Sequence, residues 1–164
     1  MIRYARLATP VGTLLAIAAG GALTGIYFEG HSHAPEIARD WNEDPSHAPL
    51  AECARQLAEY LDGARRCFDL PLAPDGSEFQ RRVWGEIARI PYGETLTYAE
   101  LAARAGAPGA ARAAGAATGR NPLSIVVPCH RVVGTRGSLT GYAGGIERKA
   151  RLLAIEGALE ASPA

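Results

Sequence analysis

A thiol, an imidazole and a guanidinium follow one another at Cys129-His130-Arg131, between Pro128 and Val132. A thiolate is the strongest nucleophile a side chain offers, but an unperturbed thiol is mostly protonated at neutral pH. His130 is a candidate base for that proton, and Arg131 sets a cation beside it. The preceding run Leu123-Ser124-Ile125-Val126-Val127 is too short for a helix and predicts a buried strand-like stretch. Pro128 has no N–H and a fixed φ, so it ends any ladder and turns the chain. The competing reading of Cys129 is a small core hydrophobe, since free cysteines are among the most buried side chains.

The elements that hold this turn come in two halves. The N-terminal half reads as strands at Ile2–Leu7, Thr13–Ala18 and Leu23–Phe28, separated by Thr9-Pro10-Val11-Gly12 and Gly20-Gly21, which predicts an antiparallel meander. Residues 31–49 read as a loop. Pro49 opens a helix with Leu50, Ala54, Leu57, Ala58 and Leu61 on one face, and Asp62-Gly63 stops it. Cys67-Phe68-Asp69-Leu70 is predicted as a further strand, before a linker at Ala73-Pro74-Asp75-Gly76. Cys53 and Cys67 are expected in the core.

The second half carries explicit helix starts. Ser77-Glu78-Phe79-Gln80 and Thr97-Tyr98-Ala99-Glu100 are capping-box sequences. Gly106-Ala107-Pro108-Gly109 breaks the second helix, and a third is predicted from Ala110 to Thr118, giving a helix-turn-helix. Between Ala110 and Thr118 only Arg112 is long, so this helix offers few groups to base edges. A smooth helix with one cation suits close, sequence-indifferent approach to DNA, and an alanine-rich packing helix is the alternative.

The chain has 164 residues, 48% of them hydrophobic, enough for one sizeable core or two small ones. Its 17 basic and 17 acidic residues cancel, but unevenly. Residues 1–75 hold 6 cations and 10 acids, and residues 76–164 hold 11 and 7. That asymmetry points the C-terminal half toward a polyanion. Three cysteines in no regular spacing argue against a disulfide scaffold and fit a reducing, cytoplasmic setting. No leader or membrane-spanning stretch is read, so no membrane partner is expected.

Taken in order, Ile90-Pro91-Tyr92-Gly93, Thr97-Tyr98, Ala111-Arg112-Ala113, Gly119-Arg120-Asn121-Pro122, Pro128-Cys129-His130-Arg131-Val132, Gly141-Tyr142, Gly144-Gly145 and Glu156-Gly157 resemble one family. It is the O6-alkylguanine-DNA alkyltransferases, or methylated-DNA–protein-cysteine methyltransferases. The resemblance implies an α+β fold. Residues 1–75 would form a ribonuclease-H-like antiparallel sheet with a helix. Residues 76–164 would form a helical, winged helix-turn-helix domain that carries the acceptor cysteine.

The resemblance also implies roles. Cys129 matches the acceptor of the alkyl group, His130 the base that draws the thiol proton through a water, and Glu156 the carboxylate bonded to that histidine. Asn121 matches the brace of the active-site turn. Tyr98 matches the phenol that turns the nucleotide phosphate and protonates the departing guanine. Arg112 matches the finger that fills the gap of a flipped base. Ala110, Ala111, Gly115, Tyr98 and Arg120 would meet the DNA, and Tyr142, Ala143, Gly144 and Val132 would line the base pocket. The implied partner is double-stranded DNA containing O6-alkylguanine, with O4-alkylthymine a second candidate, met by a monomer.

Residue chemistry agrees with those roles. Displacement at an alkyl carbon calls for a soft nucleophile, and the target atom lies inside a stacked duplex, so the base must be extruded. Glu156 falls in the last turn of a helix predicted over Ile146–Glu156, where the dipole disfavours an acid, so its placement against local preference marks it. Ala143 stands where some relatives have a hydroxyl residue, and Asn121-Pro122-Leu123-Ser124 lacks a second proline found in others; both bear on tolerance of bulky adducts. No tetrahedral ligand spacing occurs among Cys53, Cys67, His31 and His33, so neither metal nor cofactor is expected. A non-catalytic binder of alkylated DNA, a helix-turn-helix regulator and a cysteine hydrolase are the alternatives.

Overall fold

A computed structural model describes residues 1–158, which form two compact units. The first comprises Met1–Asp75 with Pro122–Ser124, and the second comprises Gly76–Asn121 with the residues from Ile125 onward.

In the first unit, β1 (Ile2–Thr9), β2 (Gly12–Ala19) and β3 (Ala22–Phe28) form the expected meander. Gly20 and Gly21 join β2 to β3 with φ of 60° and 84°, the left-handed pair a tight hairpin requires. A fourth strand, β4 (Asn42–Glu43), pairs parallel with β1 at the edge, giving the order β3-β2-β1-β4. The sequence reads this stretch as loop because it is only two exposed polar residues long.

Helix α1 (Ala48–Leu61) starts beside Pro49 and packs on the sheet. Its buried face is Leu50, Cys53, Gln56, Leu57 and Tyr60, whereas Ala58 is exposed. The sequence pattern misplaces this face because it discounts Gln56. That amide donates Nε2 to the Asp69 carbonyl and accepts from the Asp69 N–H through Oε1, both at 2.9 Å. Gln56 thereby satisfies the backbone that a neighbouring strand would have satisfied. Residues 67–70 consequently form no strand, and Cys67 is exposed, not in the core. The ladder contact comes later, where Leu72 bridges Leu23.

In the second unit both capping boxes form, starting α2 (Glu78–Ala88) at Ser77 and α3 (Tyr98–Arg104) at Thr97. Helix α4 (Ala111–Gly119) follows the turn at Gly106 and Gly109, both with positive φ. The three helices pack together, and the buried Trp84 indole donates to the Ala117 carbonyl at 2.8 Å. Short strands β5 (Leu96–Thr97) and β6 (Val132–Val133) pair in parallel, and α5 (Ile146–Ile155) closes the described chain.

The run 123–127 is not a strand. Leu123 bridges β3 at Ile26, and residues 124–126 then turn. Ile125 adopts φ of 71°, a conformation that is unfavourable for a β-branched side chain by about 1–2 kcal/mol. Periodicity reports burial here, and every residue from 121 to 125 is buried, but it does not report direction.

Candidate active site

Cys129 opens a single 3-10 turn, Cys129–Arg131. Pro128, at φ −80° and ψ 64°, sits in an inverse γ-turn closed by the Cys129 N–H on the Val127 carbonyl at 2.8 Å. Asn121 Nδ2 donates to the same carbonyl at 2.8 Å. The strained Ile125, the ring of Pro128 and the Asn121 amide therefore fix one short stretch of backbone.

The thiol is 5% exposed. Burial raises its pKa, opposed first by hydrogen bonds from Asn121 and Tyr142 and then by the charge of Lys149. His130 is wholly buried, with Nε2 2.8 Å from Glu156 Oε2. Burial first, then the charges of Arg131 and Lys149, lowers its pKa further than Glu156 raises it, so the imidazole rests neutral. Neutral is the form a base must have. A tautomer that donates Nε2–H to Glu156 has Nδ1 as its acceptor nitrogen.

Glu156 forms the end of α5, where its N–H accompanies the last carbonyls of the helix. Its carboxylate is saturated. Arg131 donates Nε to Oε1 at 2.8 Å and Nη2 to Oε2 at 2.9 Å, a bidentate fork, and the Gly93 N–H reaches Oε1 at 3.2 Å. Arg131 Nη1 in turn holds the Ile90 carbonyl at 2.6 Å. The Ile90–Gly93 turn, the Cys-His-Arg turn and the end of α5 are thus joined through one carboxylate.

Tyr98 begins α3, and its hydroxyl donates toward the carbonyls of Thr140 and Gly141 at 3.2 and 3.4 Å. Burial, then the charge of Cys129, raises its pKa, so it keeps its proton. On α4, Arg112, Ala113, Ala116 and Arg120 are exposed, while Ala110, Ala111 and Gly115 are half-buried. A Cβ on Gly115 would lie 3.6 Å from the Tyr98 ring.

Of the sequence-derived residues, Asn121 and Tyr142 hydrogen-bond Cys129, His130 pairs with Glu156, and Tyr98 lies close enough to feel the charge of Cys129. Arg112 and Arg120 stand apart on the exposed face of α4. Ala143 is half-buried, Gly144 is buried with its carbonyl bonded to Arg148, and Val132 is fully buried in β6. Sequence reasoning left Arg131 without a partner and passed over Lys149. The signal for Lys149 was its spacing: it shares one helical face with Leu152, Leu153 and Glu156. Among the described residues no cluster of three His, Cys, Asp or Glu could hold a metal, and no helix is long and apolar enough to cross a membrane.

Residues 78–158 match the DNA-binding domain of 6-O-methylguanine DNA methyltransferase, and residues 2–74 match the ribonuclease-like domain of the same family. The chain belongs to this methyltransferase family. A methylated-DNA–protein-cysteine methyltransferase of Mycolicibacterium paratuberculosis is 47% identical, covering 95% of this chain and 93% of its own. One from Methanosarcina acetivorans is 44% identical over 94% and 97%. Mycobacterium tuberculosis OGT in complex with DNA superposes with a TM-score of 0.87 at 42% identity, covering 94% of this chain and 92% of that one. The methyltransferase fold, α+β with a ribonuclease-like sheet and a helical DNA-binding part, is therefore the fold of this chain.

Proposed function

We propose that this protein repairs DNA by taking the alkyl group from O6-alkylguanine onto Cys129, once per molecule and irreversibly. The observation that carries the assignment is the buried His130–Glu156–Arg131 network, a neutral imidazole backed by a saturated carboxylate, on the same 3-10 turn as the buried Cys129 thiol. The thiol proton passes through a water to His130, and Glu156 holds the imidazolium that results. The thiolate attacks the alkyl carbon, so the S–C bond forms as the C–O6 bond breaks. The electron pair leaves on guanine, which takes the Tyr98 proton.

Residues 76–164 are assigned as the DNA-binding and acceptor domain, of which 159–164 lie outside the described residues, and residues 1–75 as the ribonuclease-H-like domain. The exposed face of α4 is what a minor groove would meet. Ala113 and Ala116 allow close approach, Arg112 fills the space of the extruded base, and Arg120 meets phosphate. Tyr142, Ala143 and Gly144 line the space for that base. We assign the cytoplasm, because an acceptor thiol needs a reducing compartment.

The test is intact-protein mass after mixing with duplex DNA containing one O6-methylguanine. One methyl gained by the native protein and none by Cys129→Ser is the expected result. Mass unchanged with binding retained would leave a damage binder or regulator. Arg112→Ala is expected to keep the reactivity of Cys129 toward small alkylating reagents while losing most transfer from duplex DNA. Equal loss of both would remove the finger role.

A further inference from the structure

Helices α2 and α3 frame a basic groove. Arg82, Gly85, Glu86 and Arg89 line it from α2 and its cap, and Arg104 and Ala105 line it from the end of α3, around about 240 Å³. The α2 residues stand at i, i+3, i+4 and i+7, which is one stripe of the helix. Arg82, Arg89 and Arg104 are exposed. Glu86 is the acid of the lining, and Arg89 already holds it at 3.5 Å. Among the described residues no carboxylate pairs with Arg82 or Arg104, and the Arg82 guanidinium lies 5.7 Å from the Phe79 ring centroid.

Two of these cations have a local explanation. Arg89 caps α2 and Arg104 sits in the last turn of α3, where the helix dipole favours positive charge. Gly85 has no such explanation. It is exposed in the middle of α2 and does not have a positive φ. A Cβ there would meet nothing within 4 Å. Glycine weakens a helix interior more than any residue except proline, and no neighbour among the described residues requires it. A bare stretch of helix does allow a partner to approach the backbone closely, here on the floor of a groove walled by guanidiniums. Guanidinium forks match the oxygens of a phosphate.

The groove is separate from the exposed face of α4. Helices α2, α3 and α4 each pack against the other two, so a groove lined only by α2 and α3 opens on the side away from α4. The cation excess of residues 76–164, 11 against 7 acids, is therefore not confined to α4. We propose that this groove is a second DNA surface, which takes the phosphate backbone of an undamaged duplex segment while α4 keeps the first. The proposal goes beyond the repair assignment and rests on it only in giving α4 the first duplex. A molecule that holds two segments at once can pass from one to the other without release into solution, which suits a search for rare lesions.

The test follows release of a fluorescent undamaged duplex from the native protein as unlabelled duplex is added at rising concentration. Simple dissociation gives a constant release rate, whereas direct passage makes the rate climb with competitor. A severalfold climb is expected, weakening with salt at a log–log slope of about −2 to −3, close to one unit for each guanidinium. Gly85→Glu puts a carboxylate on the floor and is a better helix former, so it should melt no lower than the native protein and lose the climb. Arg82→Gln combined with Arg104→Gln should lose most of the climb without added bulk.

A native release rate independent of competitor would overturn the proposal, as would a climb that either variant retains in full. Poly-glutamate at the same charge concentration stands in for an acidic polypeptide. Acceleration by it equal to that by duplex would reassign the groove to a protein partner and overturn the DNA assignment. Release is read on undamaged DNA, where Cys129 takes no part, so failure here is distinct from failure of the mass test of transfer.

Discussion

Each unit buries one histidine, and the two are treated differently. His31, 8% exposed, packs edge-on against Tyr27 at 5.1 Å, and its Nδ1 accepts from the His33 N–H at 3.0 Å. Burial and then the neighbouring His33 lower its pKa to about 4. His130 is buried more deeply, yet Glu156 opposes the same downward push. Both rest neutral at pH 7, but only one is prepared for a proton. Burial alone leaves a histidine with nothing to hold its charged form; burial against a carboxylate gives that form a counter-ion already in place.

Removing that counter-ion should produce the largest effect. Glu156→Ala leaves Arg131 buried and unpaired, so a loss of about 3–5 kcal/mol in urea unfolding is expected, together with loss of methyl transfer. A variant that unfolds at the native midpoint would show that the pair is not coupled to stability.

The His31 side sharpens the contrast through pH. Its folded pKa lies below the unfolded value, so the unfolded state binds the proton better. The stability it secures is fully present above about pH 6.5 and declines as pH falls toward 4. His31→Asn should flatten this acid limb, which thermal melts at several pH values would reveal. An unchanged limb would place the acid sensitivity elsewhere.

The smallest effect is expected from methylating Cys129 itself. Added bulk in a packed turn that is 5% exposed should lower stability by about 1–3 kcal/mol, while the acid limb from His31 stays as it was. Melting curves of fresh and reacted protein make the comparison, and coincident curves would mean the turn has room for the adduct.

Elements whose signals are local were legible in the sequence. Both capping boxes, the Gly20-Gly21 hairpin and the Cys-His-Arg turn depend on neighbours a few residues away. Glu156 was marked by standing against the helix dipole, and the structure supplies the compensation in Arg131 and the Gly93 N–H. What stayed hidden depends on partners far along the chain. Gln56 holding Asp69, β4 pairing with β1 over some forty residues and the left-handed Ile125 are set by tertiary contacts, which override propensity. Lys149 shares a helical face with Leu152 and Leu153, but its burial is set by the contacts of the folded chain.

The exposed sulfur of Cys67 has a practical side. A colorimetric thiol count on the folded protein will register Cys67 ahead of Cys53 and Cys129, both of which are buried. Fresh and spent molecules would give nearly the same colour. Air oxidation during storage will join chains through Cys67 and can pass for inactivation while the acceptor is intact. A Cys67→Ser background removes both confusions at a surface position.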